Sequence, residues 1–311
     1  MSAPVVAVID IGSNSIKVLV ATRSASDGIL ALATRTIDAR ISAGISKADP
    51  RLTEDGMTRG LDAIGALLED AAAFAPARVI LVATSAVRDA KNGGEFRARV
   101  AAATGDEIRI LTGDEEANLI GRGLTCDPAL AGLRDFYVFD LGGGSLECLA
   151  FRNRKIEQAI SLQLGCVRLT EKFVADPSAP LTAEAVRAIT EHTCGSITAS
   201  GFRFVSSVAI GTGGTVSTAR AIFAARAGKS FEQTETHVFL AQLRALLLEL
   251  GALTLNARKG IPGLPPARAD VFPTALVTLI ALAELGGFDA YRNSLFNLRY
   301  GLAAEALDSL S

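Results

Sequence analysis

Residues Val138–Ala150 read VFDLGGGSLECLA. An apolar run ends in an aspartate, three glycines and a serine, and a second apolar run follows with one carboxylate, Glu147, inside it. Apolar runs on either side of a glycine turn read as two strands joined by a tight loop. A second copy lies at Val8–Ala21, VIDIGSNSIKVLVA. Aligned, the copies pair Asp10 with Asp140, Gly12 with Gly142, Ser15 with Ser145 and Lys17 with Glu147, at a constant offset of 130 residues. Because the aspartate and the serine coincide along with the glycine, a duplicated hairpin, one per domain, explains the pair better than two unrelated glycine turns.

Glycine lets backbone N–H groups approach an anion with no Cβ in the way, and a run of such groups forms an anion-binding nest. Carboxylates beside it would repel a phosphate unless a cation intervened. Asp140 and Glu147 can supply oxygens to Mg²⁺, with Mn²⁺ as a substitute, and Mg²⁺ favours carboxylates, waters and substrate phosphates. Lys17, matching Glu147, can meet a phosphate directly. Ile210–Val216, IGTGGTV, lies between a strand-like and a helical segment, so Gly213, Gly214 and Thr215 open a helix N-terminus suited to a phosphate or a nucleoside. Thr84–Phe96, TSAVRDAKNGGEF, places Arg88 just after a strand end, where a guanidinium can clasp phosphate oxygens; a plain surface arginine is the alternative. Leu111–Ala117, LTGDEEA, opens a helix with three carboxylates, a placement that the helix dipole alone would favour.

Other nucleotide signatures are missing. The Gly142 loop lacks the third glycine of GxGxxG, and a strand rather than a helix follows it. Gly228-Lys229-Ser230 resembles the end of a phosphate-binding loop, but Phe223 stands where its first glycine would be.

The 311 residues are enough for two domains, and 49 % hydrophobic with 21 % charged residues suits a soluble globular enzyme. A net charge of −2 supplies no global field for nucleic acid or membrane, so neither is expected as a partner. The N-terminus lacks the features of a signal peptide, and the apolar stretch Val271–Leu285 is too short to span a bilayer. Cys126, Cys148, Cys166 and Cys194 form no CxxC pair, which suits reduced thiols and a cytoplasmic location.

Periodicity predicts strands at Val5–Ile9, Ile16–Arg23, Ile29–Ile37, Val79–Val82 and Ile108–Leu111, with helices from Thr53 to Phe74, Glu95–Ala103 and Asp114–Leu124. After Asp127-Pro128 the order restarts with strands at Phe136–Asp140, Leu146–Phe151, Ile156–Leu162 and Ser207–Ile210. Helices are predicted at Val167–Val174, Ala183–Ser200, Thr215–Ala225, Thr236–Leu250, Asp270–Leu285 and Ser294–Leu310. His192 and His237 fall in helical, polar surroundings.

Taken in order, DIGSNSIK (Asp10–Lys17), TSAVRDAKNG (Thr84–Gly93), LTGDEEANLIGRG (Leu111–Gly123), DLGGGSLE (Asp140–Glu147), SLQLGCVRLTEKF (Ser161–Phe173), GTGGT (Gly211–Thr215) and NLRYGL (Asn297–Leu302) cover almost the whole chain. The sequence resembles the exopolyphosphatase / guanosine pentaphosphate phosphohydrolase family of the actin-like ATPase superfamily. That resemblance implies an α/β fold of two actin-like (ribonuclease H-like) domains, each a mixed five-stranded sheet with helices, with an active cleft between them. The first would be 1–124, completed by the C-terminal helix 294–311, and the second 125–293. It implies Mg²⁺-dependent hydrolysis of a terminal phosphoanhydride, with the catalytic glutamate on Glu116 and metal-associated carboxylates on Asp140 and Glu147. Asp10, Ser13, Asn14, Arg88, Gly142, Gly143, Gly144 and Ser145 match phosphate-contacting positions. Many members carry arginine where this chain has Lys17, which keeps the charge without the fork. Longer members have a further C-terminal helical domain, so a short form acting on shorter polyphosphates is expected here, as is a homodimer.

The expected reaction is therefore release of orthophosphate from inorganic polyphosphate, with Glu116 activating water and Arg88 and Lys17 holding phosphate. Guanosine pentaphosphate hydrolysis is the nearest alternative. A non-catalytic sensor of polyphosphate or of guanosine tetra- or pentaphosphate is a third, and no sugar-binding segment supports a sugar kinase.

Overall fold

The structure, a computed structural model, describes residues 3–43, 45, 49–204, 206 and 208–310. It divides into two compact units, Met1–Gly132 with Phe296–Ser311, and Leu133–Leu295. The family resemblance put the divisions at 124/125 and 293/294. The first falls later because Asp127 caps a 3-10 turn, Pro128–Leu130, whose Leu130 is buried, so the chain remains compact through Gly132.

The first unit holds β1 (Val5–Ile11), β2 (Ile16–Arg23), β3 (Ile29–Ile37), α1 (Glu54–Ala72), β4 (Arg78–Ala83), α2 (Ser85–Arg88), α3 (Gly93–Thr104), β5 (Ile108–Ile110) and α4 (Gly113–Thr125), and α11 (Leu298–Asp308) completes it. Its sheet runs β3-β2-β1-β4-β5, with β1 to β3 antiparallel and β4 and β5 parallel to β1. Alternation along β1 sends Ala7, Ile9 and Ile11 into a core with Ile64 and Leu67 of α1 and Phe96 and Val100 of α3. The other face carries Val6, Val8 and Asp10, and α11 lies against β1, β2 and α4. Thr53 caps α1, its side chain accepting from Gly56 N at 3.0 Å, as Thr-Glu-Asp ahead of an apolar periodicity predicts.

The second unit holds β6 (Phe136–Leu141), β7 (Leu146–Arg152), β8 (Lys155–Leu162), α5 (Cys166–Phe173), α6 (Ala183–Ala199), β9 (Ala209–Thr212), α7 (Gly213–Arg226), β10 (His237–Phe239), α8 (Leu240–Gly251), α9 (Leu255–Lys259), α10 (Phe272–Gly286) and β11 (Ala290–Asn293). Its sheet runs β10-β11-β9-β6-β7-β8. Without β10 this is the order of the first sheet, so the duplication extends from the hairpin to the whole topology. The expected five strands are thus exceeded here by one. Three-residue β10 pairs antiparallel with β11 and is too short to show an alternation, so the pattern merged it into the following helix and misplaced the exposed His237. Ser207, expected in a strand, lies outside the described residues, and β9 begins at Ala209.

Tyr137, Phe139 and Leu141 of β6 face a core built with α5, α6, α7, α8 and α10. α10 is buried from Phe272 through Ala283, in keeping with its all-round apolar sequence. Arg258 is 2 % exposed and donates to the carbonyls of Leu253, Ala269, Pro177 and Ala179 at 2.7–3.2 Å. One guanidinium thereby satisfies four carbonyl acceptors of irregular chain. Among the described residues no helix is long and apolar enough to cross a membrane.

α4 and α11 approach at glycine distance. A Cβ on Gly123 would run into the carbonyl oxygen of Asn297, and one on Gly301 into that of Leu119. Gly123→Ala is expected to lower unfolding stability by about 1–3 kcal/mol, the usual cost of overpacking. A denaturant titration showing no loss would mean that the two helices are free to separate.

Candidate functional site

Both hairpin turns hold their peptides by the carbonyl side. In the second unit, Gly142 O accepts from Cys166 N at 3.0 Å, Gly143 O from Val167 N at 2.9 Å and Arg168 N at 3.2 Å, and Gly144 O from Arg168 Nε at 3.1 Å. The donors open α5, whose N-cap Gly165 sits so close that a Cβ there would strike the Gly143 and Gly144 backbone. In the first unit, Ser13 O accepts from Ser42 N and Oγ at 3.3 and 3.1 Å, and Asn14 O from Arg40 N at 2.9 Å. The described peptides are all trans, so each N–H is antiparallel to the carbonyl of its own peptide. Tying down these carbonyls turns the N–H groups of Gly143, Gly144 and Ser145, and of Asn14 and Ser15, the opposite way. Such consecutive N–H groups form an anion-binding nest.

Asn14 adds a second sign. Its side chain is 5 % exposed, and neither Nδ2 nor Oδ1 has a hydrogen-bond partner among the described residues. Buried polar atoms are nearly always paired, so an amide left open beside these N–H groups fits a missing ligand.

Behind the turns, strand register aligns a row of side chains on one face of each sheet. In the second unit the row is Ser161, Glu147, Asp140 and Thr212 across β8, β7, β6 and β9. In the first it is Thr36, Lys17, Asp10 and Val82 across β3, β2, β1 and β4. The second row is all oxygen donors, and Ser161 Oγ donates to Glu147 Oε1 at 2.8 Å. Gly213, at φ +77°, stands so near Asp140 that a Cβ would meet its Oδ1. Two adjacent carboxylates flanked by hydroxyls suit a hard divalent cation. No group of three His, Cys, Asp or Glu side chains that could hold a metal occurs among the described residues, so water and substrate would supply the remaining ligands. In the first row, burial pushes the Asp10 carboxyl above its ordinary value, while Lys17 and Arg299 of α11 pull against that rise. Arg299 is itself buried and donates from Nη1 to Val18 O at 3.1 Å.

The parallel pairing of β1, β4 and β5 sets their carboxyl ends side by side, with Ile11 opposite Ala83 and Ala83 opposite Ile110. Three sequence motifs therefore meet within the first unit. Ser13 Oγ lies 3.4 Å from Ser85 Oγ. Arg88 Nη1 donates to Leu111 O at 2.9 Å and to Glu116 Oε2 at 3.0 Å. The fold also separates the two adjacent glutamates. Glu115 closes a capping box with Thr112, pairs with Arg109 at 2.8 Å, and has its carboxyl lowered to about 2 by the Thr112 backbone N–H first, then Arg109. Glu116 is 5 % exposed and turned towards Arg88. Sequence spacing placed Arg88 on phosphate; in the fold, one nitrogen already serves the protein.

The GTGGT segment differs from expectation in one respect. α7 starts at Gly213, not Thr215, and Thr215 Oγ1 donates to Leu141 O at 2.9 Å, so this hydroxyl ties α7 to β6. The N–H groups of the first helical turn remain as donors. Sequence reasoning missed Arg268. A Cβ on Gly214 would meet its guanidinium, and its charge acts on the buried Cys166 thiol, whose pKa burial raises to about 11. The only signal was a lone arginine shortly after Pro265-Pro266.

A family model described as the Ppx/GppA phosphatase family matches residues 19–310. Among solved structures, the Ppx-GppA enzyme of Aquifex aeolicus is 25 % identical over 98 % of this chain and 100 % of its own, with a TM-score of 0.78. An exopolyphosphatase from Cytophaga hutchinsonii is 24 % identical over 98 % of both chains, with a TM-score of 0.87, and shares the fold.

The Glu115 pairings give a pH signature. Its lowered pKa contributes stability that is fully present above the ordinary value of 4.5 and is lost as pH falls towards about 2. Glu115→Gln is therefore expected to be less stable than the parent at pH 7, with the difference closing between pH 4.5 and 2. Thr112→Ala is expected to cost about 1 kcal/mol at neutral pH. Equal melting of parent and Glu115→Gln at pH 7 would remove the capping role.

Proposed function

The chain belongs to the Ppx/GppA phosphatase family and is a phosphoanhydride hydrolase, and we propose that it is an exopolyphosphatase, releasing orthophosphate from the end of inorganic polyphosphate. The observation that carries this reading is the pair formed by buried Glu116 and Arg88, in the unit whose first turn presents unpartnered Asn14 and outward N–H groups.

A phosphoanhydride has a good leaving group, so catalysis is mainly positioning and charge stabilisation. Glu116 accepts a proton from the attacking water. The water oxygen bonds to the terminal phosphorus, the bridging P–O bond breaks, and its electron pair stays on the shortened chain. Arg88 holds the Glu116 carboxylate through Nη1 and offers its remaining N–H groups to phosphate oxygens. Lys17 and the N–H groups of the first turn take up further phosphate charge. Asp140 and Glu147 would hold Mg²⁺, which when bound neutralises phosphate oxygens. Ser161 orients Glu147 for that contact, as outer hydrogen bonds orient metal ligands elsewhere.

Arg268 beside the opening of α7 favours a second reading, hydrolysis of guanosine pentaphosphate, because a nucleotide carrying phosphates at both ends needs a second anion site. Phosphate release measured on polyphosphates of several lengths, ATP and guanosine pentaphosphate, with Mg²⁺ and with a chelator, separates the two. Binding of these compounds with no release from any of them would mean a sensor instead.

Glu116→Gln is expected to bind tripolyphosphate nearly as the parent does and to turn over at least about a hundredfold more slowly, the scale of lost general-base catalysis. Near-parental turnover would take Glu116 out of the mechanism.

A further inference from the structure

Arg88 lies between two carboxylates, only one of which the reaction above uses. Glu116 and the Leu111 carbonyl occupy Nη1 at 3.0 and 2.9 Å. Asp89 faces Nε, with Oδ1 at 3.5 Å and its side chain 18 % exposed. A guanidinium offers two edges for bidentate binding, Nη1 with Nη2 and Nε with Nη2. Taking the first would displace Glu116 and the carbonyl, both at hydrogen-bond distance. Among the described residues, taking the second displaces only Asp89, whose contact with Nε is longer than a hydrogen bond. Asp89 is next to Arg88 in the chain, and its own N–H donates to Ser85 O at 3.0 Å at the end of α2.

We propose that Asp89 is a resident carboxylate on the Nε edge of Arg88, displaced by a phosphate oxygen of the substrate, and that it sets the affinity of this site for phosphate. This rests on the phosphohydrolase reading above, since it assumes that phosphate reaches Arg88. Glu116 keeps its bond to Nη1 while phosphate takes Nε and Nη2, so one arginine serves the base and the substrate together. Asp89 is a positioning residue: it touches Arg88 and makes weak phosphates leave. Its removal should therefore tighten phosphate binding, whereas loss of a merely structural side chain would weaken binding or leave it unchanged.

The test is calorimetric binding of orthophosphate and tripolyphosphate to the full chain at fixed ionic strength. Asp89→Asn is expected to lower Kd by about threefold to tenfold, the scale of one nearby charge. Asp89→Ser, also uncharged, should do the same and guards against a folding defect in either variant. Asp89→Glu, which keeps the charge, should stay within about twofold of the parent. In an Arg88→Lys background, which has no Nε–Nη2 edge, the gain from Asp89→Asn should fall below about twofold. Equal or weaker binding in both uncharged variants, or a gain of the same size without Arg88, would overturn the assignment to Asp89. If the parent binds neither phosphate, the phosphohydrolase reading falls, and the role of Asp89 with it.

Discussion

Hydrogen bonds from the start of α5 to the carbonyls of Gly142 and Gly143 orient the peptides of the second turn. A planar trans peptide has one rotational choice once its oxygen is tied, so its N–H must face away. In the first turn, Arg40 and Ser42 do the same from irregular chain. The orientation of these N–H groups is therefore set by the protein's own hydrogen bonds. Glycine is needed where α5 comes closest: Gly165 can have no Cβ because the Gly143 and Gly144 backbone occupies that space. A preformed donor array costs little reorganisation on binding, which is what electrostatic stabilisation of phosphate requires.

The two halves share this turn and differ in the row behind it. Glu147 and Thr212 in the second unit stand where Lys17 and Val82 stand in the first. One row is acidic and hydroxylic, suited to a cation; the other sets Lys17 beside Asp10, with Arg299 supplying a further positive charge. Duplication thus kept the backbone device and changed the side-chain chemistry at matching register positions. A single substitution in a strand can do this because register fixes which side chains are neighbours on a face.

Much of the candidate site was legible in the chain. The repeat, the turn residues, the Glu116 motif and Arg88 all lie in contiguous stretches whose local chemistry is explicit. The parts that could not be read depend on contacts between distant segments. Arg268 sits in a stretch of ordinary composition, and Arg299 and Asp89, though inside motifs, acquire a role only through what packs on them. Thr215 looked like a ligand in a glycine-rich loop, yet its hydroxyl belongs to Leu141. β10 was missed because three residues carry no period, and only its pairing with β11 makes it a strand.

By itself the sequence determined the duplicated strand-turn-strand, the alternation that makes each strand two-faced, and the acidic opening of α4, because each follows from neighbours along the chain. Tertiary structure decided which of two adjacent glutamates caps a helix and which turns inward to Arg88. It also decided which oxygens line up behind the second turn. The reason is geometric: helix phase and strand register are meaningful only relative to a partner, and the partner is many residues away.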